Sequence, residues 1–123
     1  MTQEHKELLL KDLCARLFYN VKIAVNDKVE ILQGVNVLDN VAEYGSFLSC
    51  DIDDIKPYLF PMSSMTEEQK FEFDVLQVKT LKSSYATPME CTTILQWCYK
   101  NHIDIYGLIP MGLAIDATNK NIY

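Results

Sequence analysis

Apolar positions along this chain recur first at helical spacing, then at every second residue, then at helical spacing again. Leu10, Leu13, Cys14 and Leu17 fall on one face of a helix that Thr2 can cap and whose positive end Glu4 and Glu7 favour. That helix is expected to stop near residues 18–20. At Val21 the period becomes two: Val21, Ile23 and Val25 alternate with Lys22, Ala24 and Asn26, as in a half-buried strand. Asn26, Asp27 and Lys28 supply a turn. Val29, Ile31, Gln33, Val35 and Val37 then continue on one face of a second strand, with Gly34 opposite them as a bulge or bend. Turns at Asp39-Asn40 and Gly45-Ser46 set off two short strands, over residues 41–44 and 47–50. These strands form a three- or four-stranded antiparallel β-meander, which needs a cover on one face to stand in water.

The stretch 51–65, DIDDIKPYLFPMSSM, separates the strands from the helices that follow. Pro57 and Pro61 each fix φ and remove a backbone donor, so this stretch is predicted to carry neither a helix nor a central strand. Tyr58, Leu59, Phe60, Met62 and Met65 make it too apolar for an idle linker, and it reads as a packed connector. Thr66-Glu67-Glu68-Gln69 then has the form of a capping box. Phe71, Val75, Val78, Leu81 and Tyr85, with Leu76 beside them, form the apolar stripe of the helix it starts. Thr87-Pro88-Met89-Glu90 is a second capping box, opening a helix whose buried face is Cys91, Ile94, Leu95, Cys98 and Tyr99 and which should fray near Asn101 and His102. The two helices are expected to pack as a hairpin. The last 21 residues are apolar but interrupted by Gly107, Pro110 and Gly112, and should pack back on the body in extended or turn-rich form. The expected fold class is α+β, with an N-terminal helix, the meander, the helical hairpin and a packed C-terminal tail in one domain spanning residues 1–123.

Composition narrows the function classes more than it names one. The net charge is -6 and Arg16 is the single arginine, with lysines scattered along the chain, so no basic stripe exists to neutralise a run of phosphates. Nucleic-acid binding is not expected. The N-terminus alternates charges with leucines, unlike a signal peptide, and the longest uncharged apolar run, 106–115, falls well short of the ~20 residues of a membrane helix. A soluble, cytoplasmic protein is expected, with no membrane partner. Cys14, Cys50, Cys91 and Cys98 lie far apart without a paired motif, which suits reduced, mostly buried thiols.

Candidate chemistry is sparse. Cys98 and His102 stand four apart and would share a face of a continuous helix, as a nucleophile pair or half a metal site would. No second ligand pair has suitable spacing, and a core thiol beside a helix-end histidine is the favoured reading. Asp51, Asp53 and Asp54 imitate the start of a calcium loop, but Lys56 stands where glycine is needed and Met62 where glutamate is needed, so they read as a turn or cap. Ser63-Ser64 lacks the glycine setting of a nucleophile elbow, and Ser64 reads as a turn residue before Thr66. No catalytic residue, metal site or cofactor is therefore nominated. What remains is apolar surface chemistry: Tyr58, Phe60, Met62, Trp97 and Tyr106 are the candidate partner- or ligand-binding residues.

Two of these stretches carry a resemblance. The run IKPYLFPMSSMTEEQK, followed later by WCYKNHIDIYGLIPMGLAIDA, resembles a family of small uncharacterised proteins encoded by gut Bacteroidetes bacteria and their bacteriophages. The family pattern is a PYLxPMSSMTEEE segment, a helix, a W-L-N-x-H-H-like segment and a Y-R-G-L-I-P-x-G-L-A-L ending. It carries no assigned activity. The family commonly has arginine where this chain has Phe60 and Tyr106, which implies that any anion site built on those arginines is lost here. With the acidic charge and the missing catalytic groups, the resemblance implies a phage-linked, non-enzymatic accessory protein that binds a host or phage protein in the host cytoplasm. The alternative is a protein that binds or sequesters a small nucleotide-like signal in a pocket lined by Tyr58, Trp97 or Tyr106, though the scarcity of arginine tells against a phosphorylated ligand. Self-association is left open by the sequence.

Overall fold

The computed structural model describes residues 1–81 and 88–123, with side chains for all of these except 79–81 and 88–91. Asn26 and Asp27 both adopt left-handed backbone, φ 49° and 63°, the pairing that a tight two-residue hairpin requires. They join β1 (Lys22–Val25) to β2 (Lys28–Asn36) with Val25 opposite Lys28. The meander continues through β3 (Val41–Tyr44) and β4 (Leu48–Asp51), each strand antiparallel to the one before. Asp51 then caps a single 3-10 turn, Ile52–Asp54, by accepting the Asp53 N–H at 2.9 Å.

The stretch expected to carry no central strand contains one. β5 (Ile55–Leu59) pairs antiparallel with β1 on one side and parallel with the two-residue β6 (Ile115–Asp116) on the other, giving the sheet order β4-β3-β2-β1-β5-β6. Strand polarity explains how Pro57 is tolerated. Backbone groups alternate sides along a strand, and the Leu59 carbonyl faces β6, where it accepts the Ala117 N–H at 2.7 Å. Pro57, two residues back, therefore turns its nitrogen to the same side. There β6 pairs only with Tyr58 and Leu59, so the missing donor breaks no rung. Met62–Ser64 forms a further 3-10 turn, with the Ser64 hydroxyl donating to the Pro61 carbonyl.

Inward-facing residues of the sheet, Val21, Ile23, Val25, Leu32, Ala42, Ile55 and Leu59, form the core with Leu9, Leu10 and Leu13 of α1 (Gln3–Arg16) and with Leu108, Leu113 and Ala114 of the tail. Thr2 caps α1 as expected, accepting the His5 N–H. Two phases differ from the sequence reading. In β2 the buried residue is Leu32, whereas Val29 and Ile31 face outward. The bulge at Gly34 shifts the register after Leu32 and turns the half-buried Val35 back toward the core. In α1 the buried face runs through Leu9, Leu13 and Arg16, and Cys14 is exposed. Its place on the inward face is taken by a charged pair: Arg16 Nε and Nη2 donate to the two Asp12 oxygens at 2.8 and 3.0 Å, both side chains fully buried.

The Thr66 capping box forms, with reciprocal bonds of 3.0 and 3.1 Å between Thr66 and Gln69, and starts α2 (Glu67–Leu81). α2 packs on α3 (Pro88–Lys100) through Phe73 against Trp97, ring centroids 5.6 Å apart, and through the Trp97 indole N–H, which donates to Glu72 at 3.0 Å. The expected apolar stripe of α2 does not face the body. Phe71, Val75 and Val78 are 70%, 37% and 48% exposed. Among the described side chains of α3, Cys98 and Tyr99 in the last turn are buried, while Leu95 lies open. Tyr85 and the side chains of Leu81 and Cys91, which the sequence placed in these faces, lie outside the described residues, as does Thr87 with the second capping box expected there.

Arg16 also ties the layers together, because its Nη2 donates to the Ile103 carbonyl at 2.5 Å and its guanidinium lies 5.1 Å from the centre of the Tyr99 ring. Removing one partner of a buried ion pair leaves an uncompensated charge, so Arg16→Ala should lower unfolding stability by about 3–5 kcal/mol in urea titrations. The Asp12→Ala, Arg16→Ala double variant should cost clearly less than the sum of the two single changes. Additive losses would show that the pair does not act as a unit.

Candidate functional site

α3 ends at Lys100, and Asn101 leads into His102, whose backbone is left-handed at φ 58°. The continuous helix that would place His102 on the Cys98 face therefore does not exist. His102 instead stacks under Tyr123, ring centroids 3.8 Å apart and planes within 14°. The Tyr123 hydroxyl accepts the Lys22 N–H and donates to the Tyr58 carbonyl, both at 2.8 Å, filling the position of the next rung between β1 and β5. The following residues repeat this interlocking: Phe60 N–H donates to the His102 carbonyl and Asp104 N–H to the Phe60 carbonyl, each at 2.8 Å. The buried Asp104 carboxylate accepts the Leu108 and Ile109 N–H groups at 2.9 and 3.0 Å, which fixes the start of the tail.

The electrostatics of this region oppose nucleophilic chemistry. Burial pushes the Cys98 thiol above its ordinary pKa, against the opposing pull of Arg16. Burial, with the nearby cations Arg16 and Lys22, lowers His102 to about 4. A neutral imidazole and a protonated thiol are the reverse of the thiolate–imidazolium pair that activates a cysteine. Burial likewise raises Tyr99 and takes Tyr123 up to about 12. Among the described residues no three His, Cys, Asp or Glu side chains converge in a way that could hold a metal ion. The Nδ1 of His102 and the Nη1 of Arg16 are buried without a hydrogen-bond partner.

The five candidate residues keep separate company. Tyr58 and Phe60 are half-buried on the outward side of β5 beside Tyr123, with the Phe60 and Tyr123 rings 5.8 Å apart. Met62 is exposed on its 3-10 turn. Tyr106 packs at the margin of the core, its hydroxyl 3.5 Å from that of Tyr99. Trp97 stands alone among them in lining a surface groove, of about 280 Å³, between the helices of the hairpin, with Phe71, Glu72, Val75 and Leu76. Tyr58, Trp97 and Tyr106 are thus not assembled into one pocket.

Val78 extends this groove into an apolar stripe along α2 with Phe71 and Val75; the sequence reading has the stripe but does not include it among the binding candidates. A broader groove, of about 520 Å³, runs over α1 beside Leu8, Leu10, Cys14 and Val37. There Leu10 is buried and Leu8 packs against the core, but Val37 is 56% exposed, so this groove also offers apolar surface. The hairpin face is preferred because two aromatic side chains, Phe71 and Trp97, line its groove and none lines the groove on α1. No helix among the described residues is long and apolar enough to cross a membrane. Compared with protein-family models, curated proteins and solved structures, the chain matches none of them.

Two outcomes follow from the buried end of α3. His102 is neutral in the folded protein at pH values where the unfolded chain, titrating at 6.5, takes up a proton. Its contribution to stability is therefore full above pH 6.5 and is lost as pH falls from 6.5 toward 4, by on the order of 1–2 kcal/mol after screening by solvent. His102→Asn, which suits the left-handed backbone, should flatten that part of the stability profile; an unchanged profile would show that His102 does not titrate this way. In native alkylation followed by peptide mass spectrometry, the exposed Cys14 should label rapidly and Cys98 only as the protein unfolds. Equal rates would contradict the burial of Cys98.

Proposed function

We propose that the protein is a non-enzymatic binding module that engages another protein, of host or phage origin, through the apolar face of its helical hairpin. The observation that carries this reading is the exposure of Phe71, Val75 and Val78 in one stripe on a helix whose opposite side packs on α3. An isolated exposed apolar residue needs no explanation, whereas an aromatic-led stripe beside a groove lined by Trp97 has the composition of an interface core. Burying side chains of this kind is worth about 1.5–3 kcal/mol each, enough for a few of them to dominate an affinity. The raised Cys98 and lowered His102 support the non-enzymatic part of the reading.

A comparison of baits in host lysate tests the surface. Phe71→Gln should leave stability within about 0.5 kcal/mol of the parent, because the ring is 70% exposed and glutamine is a good helix former. Recovery of a discrete partner should nevertheless fall by about tenfold or more. Equal recovery with both baits would remove the hairpin as the contact surface, and recovery of nothing by the parent would count against a protein partner.

A further inference from the structure

The stripe on α2 has an uneven setting. At helical spacing, Glu67 and Asp74 fall along one side of Phe71, Val75 and Val78, and Glu68 and Glu72 along the other. Lys70, the one lysine between residues 67 and 78, lies well around the helix from the stripe and is drawn to Glu67 at 3.5 Å. Glu72 accepts the Trp97 indole N–H, while Glu68 and Asp74 have no cationic partner among the described residues. The apolar face is therefore bordered on both sides by carboxylates, on a protein whose net charge is already -6.

We propose that this face receives a basic amphipathic helix of a partner protein, with apolar residues at i, i+3 or i+4, and i+7 on the stripe and lysine or arginine on both flanks. This rests on the reading of the hairpin face as the binding surface. Phe71 to Val78 is a seven-residue step, about 10 Å of helix rise, which is the length over which one such helix presents three anchors. The rim selects the charge of the occupant. A second copy of this chain would set one carboxylate border against another, and like charges facing across an interface are unfavourable. A basic helix meets both borders with opposite charge, and Phe71 and Trp97 supply the apolar anchors between them.

The test uses the full chain and two synthetic helix-forming peptides of ~18 residues that share the same leucine pattern, one flanked by lysine and arginine and the other by glutamate. Fluorescence anisotropy should show binding of the basic peptide alone. Its affinity should drop by about tenfold in the Glu68→Gln, Asp74→Asn variant and by a similar factor between roughly 0.05 and 0.5 M salt, and binding should be lost in Phe71→Gln. Equal binding of the two peptides, or binding of neither, overturns the basic helix as occupant. So does sedimentation showing a dimer of the parent that Phe71→Gln dissociates, which would make a second copy the occupant. These failures are distinct from failure of the binding surface itself, which is read from unchanged partner recovery with the Phe71→Gln bait.

Discussion

Arg16 joins parts of this fold that lie far apart in the sequence. Its guanidinium holds Asp12 on its own helix, the Ile103 carbonyl beyond the end of α3, and the face of Tyr99. One side chain thus joins the N-terminal helix to the place where the helical hairpin meets the tail. A buried ion pair is a poor source of net stability because desolvation offsets most of its attraction. What it supplies here is position. With Arg16 directed inward, the Ile103 carbonyl has one place to lie, and the adjacent backbone of Phe60, His102 and Asp104 follows from it.

That dependence also explains what could be read from the residues in advance. The Thr2 cap, the Thr66–Gln69 box, the Asn26-Asp27 turn and the Gly34 bulge all rest on contacts within a few residues, and each stands as expected. The errors arise where a distant partner decides. A hydrophobic pattern excludes Asp12 and Arg16 from a helix's inner face because neither can be buried alone, and only the pair makes the burial tolerable. Gly34 was legible as a bulge, but which side of it kept the core phase depended on Leu32 meeting the rest of the sheet. Pro57 ruled out a central strand only so long as the direction of its nitrogen was unknown.

The hairpin is the opposite case. Its stripe was legible as residues, since Phe71, Val75 and Val78 recur at helical spacing, but periodicity says that a face will be covered and not what covers it. Of the five residues singled out beforehand as binding candidates, Trp97 alone lines the hairpin groove, whereas Tyr58, Phe60 and Tyr106 serve the packing between sheet and tail. The division follows from burial: the end of α3 is anchored by Cys98 and Tyr99, whereas Phe71, Val75 and Val78 of α2 are exposed.

The orientation of Pro57 reaches beyond the tolerance of one proline. β6 shields only the last part of β5, so the earlier part of that strand lies along the rim of the sheet. A bare rim invites another chain to add a strand, and polymerisation of sheet proteins starts in this way. With no N–H to offer at Pro57, that margin gives an incoming strand one donor fewer. The two margins of the sheet are therefore unlike, a proline-bearing strand partly covered by β6 on one side and β4 on the other.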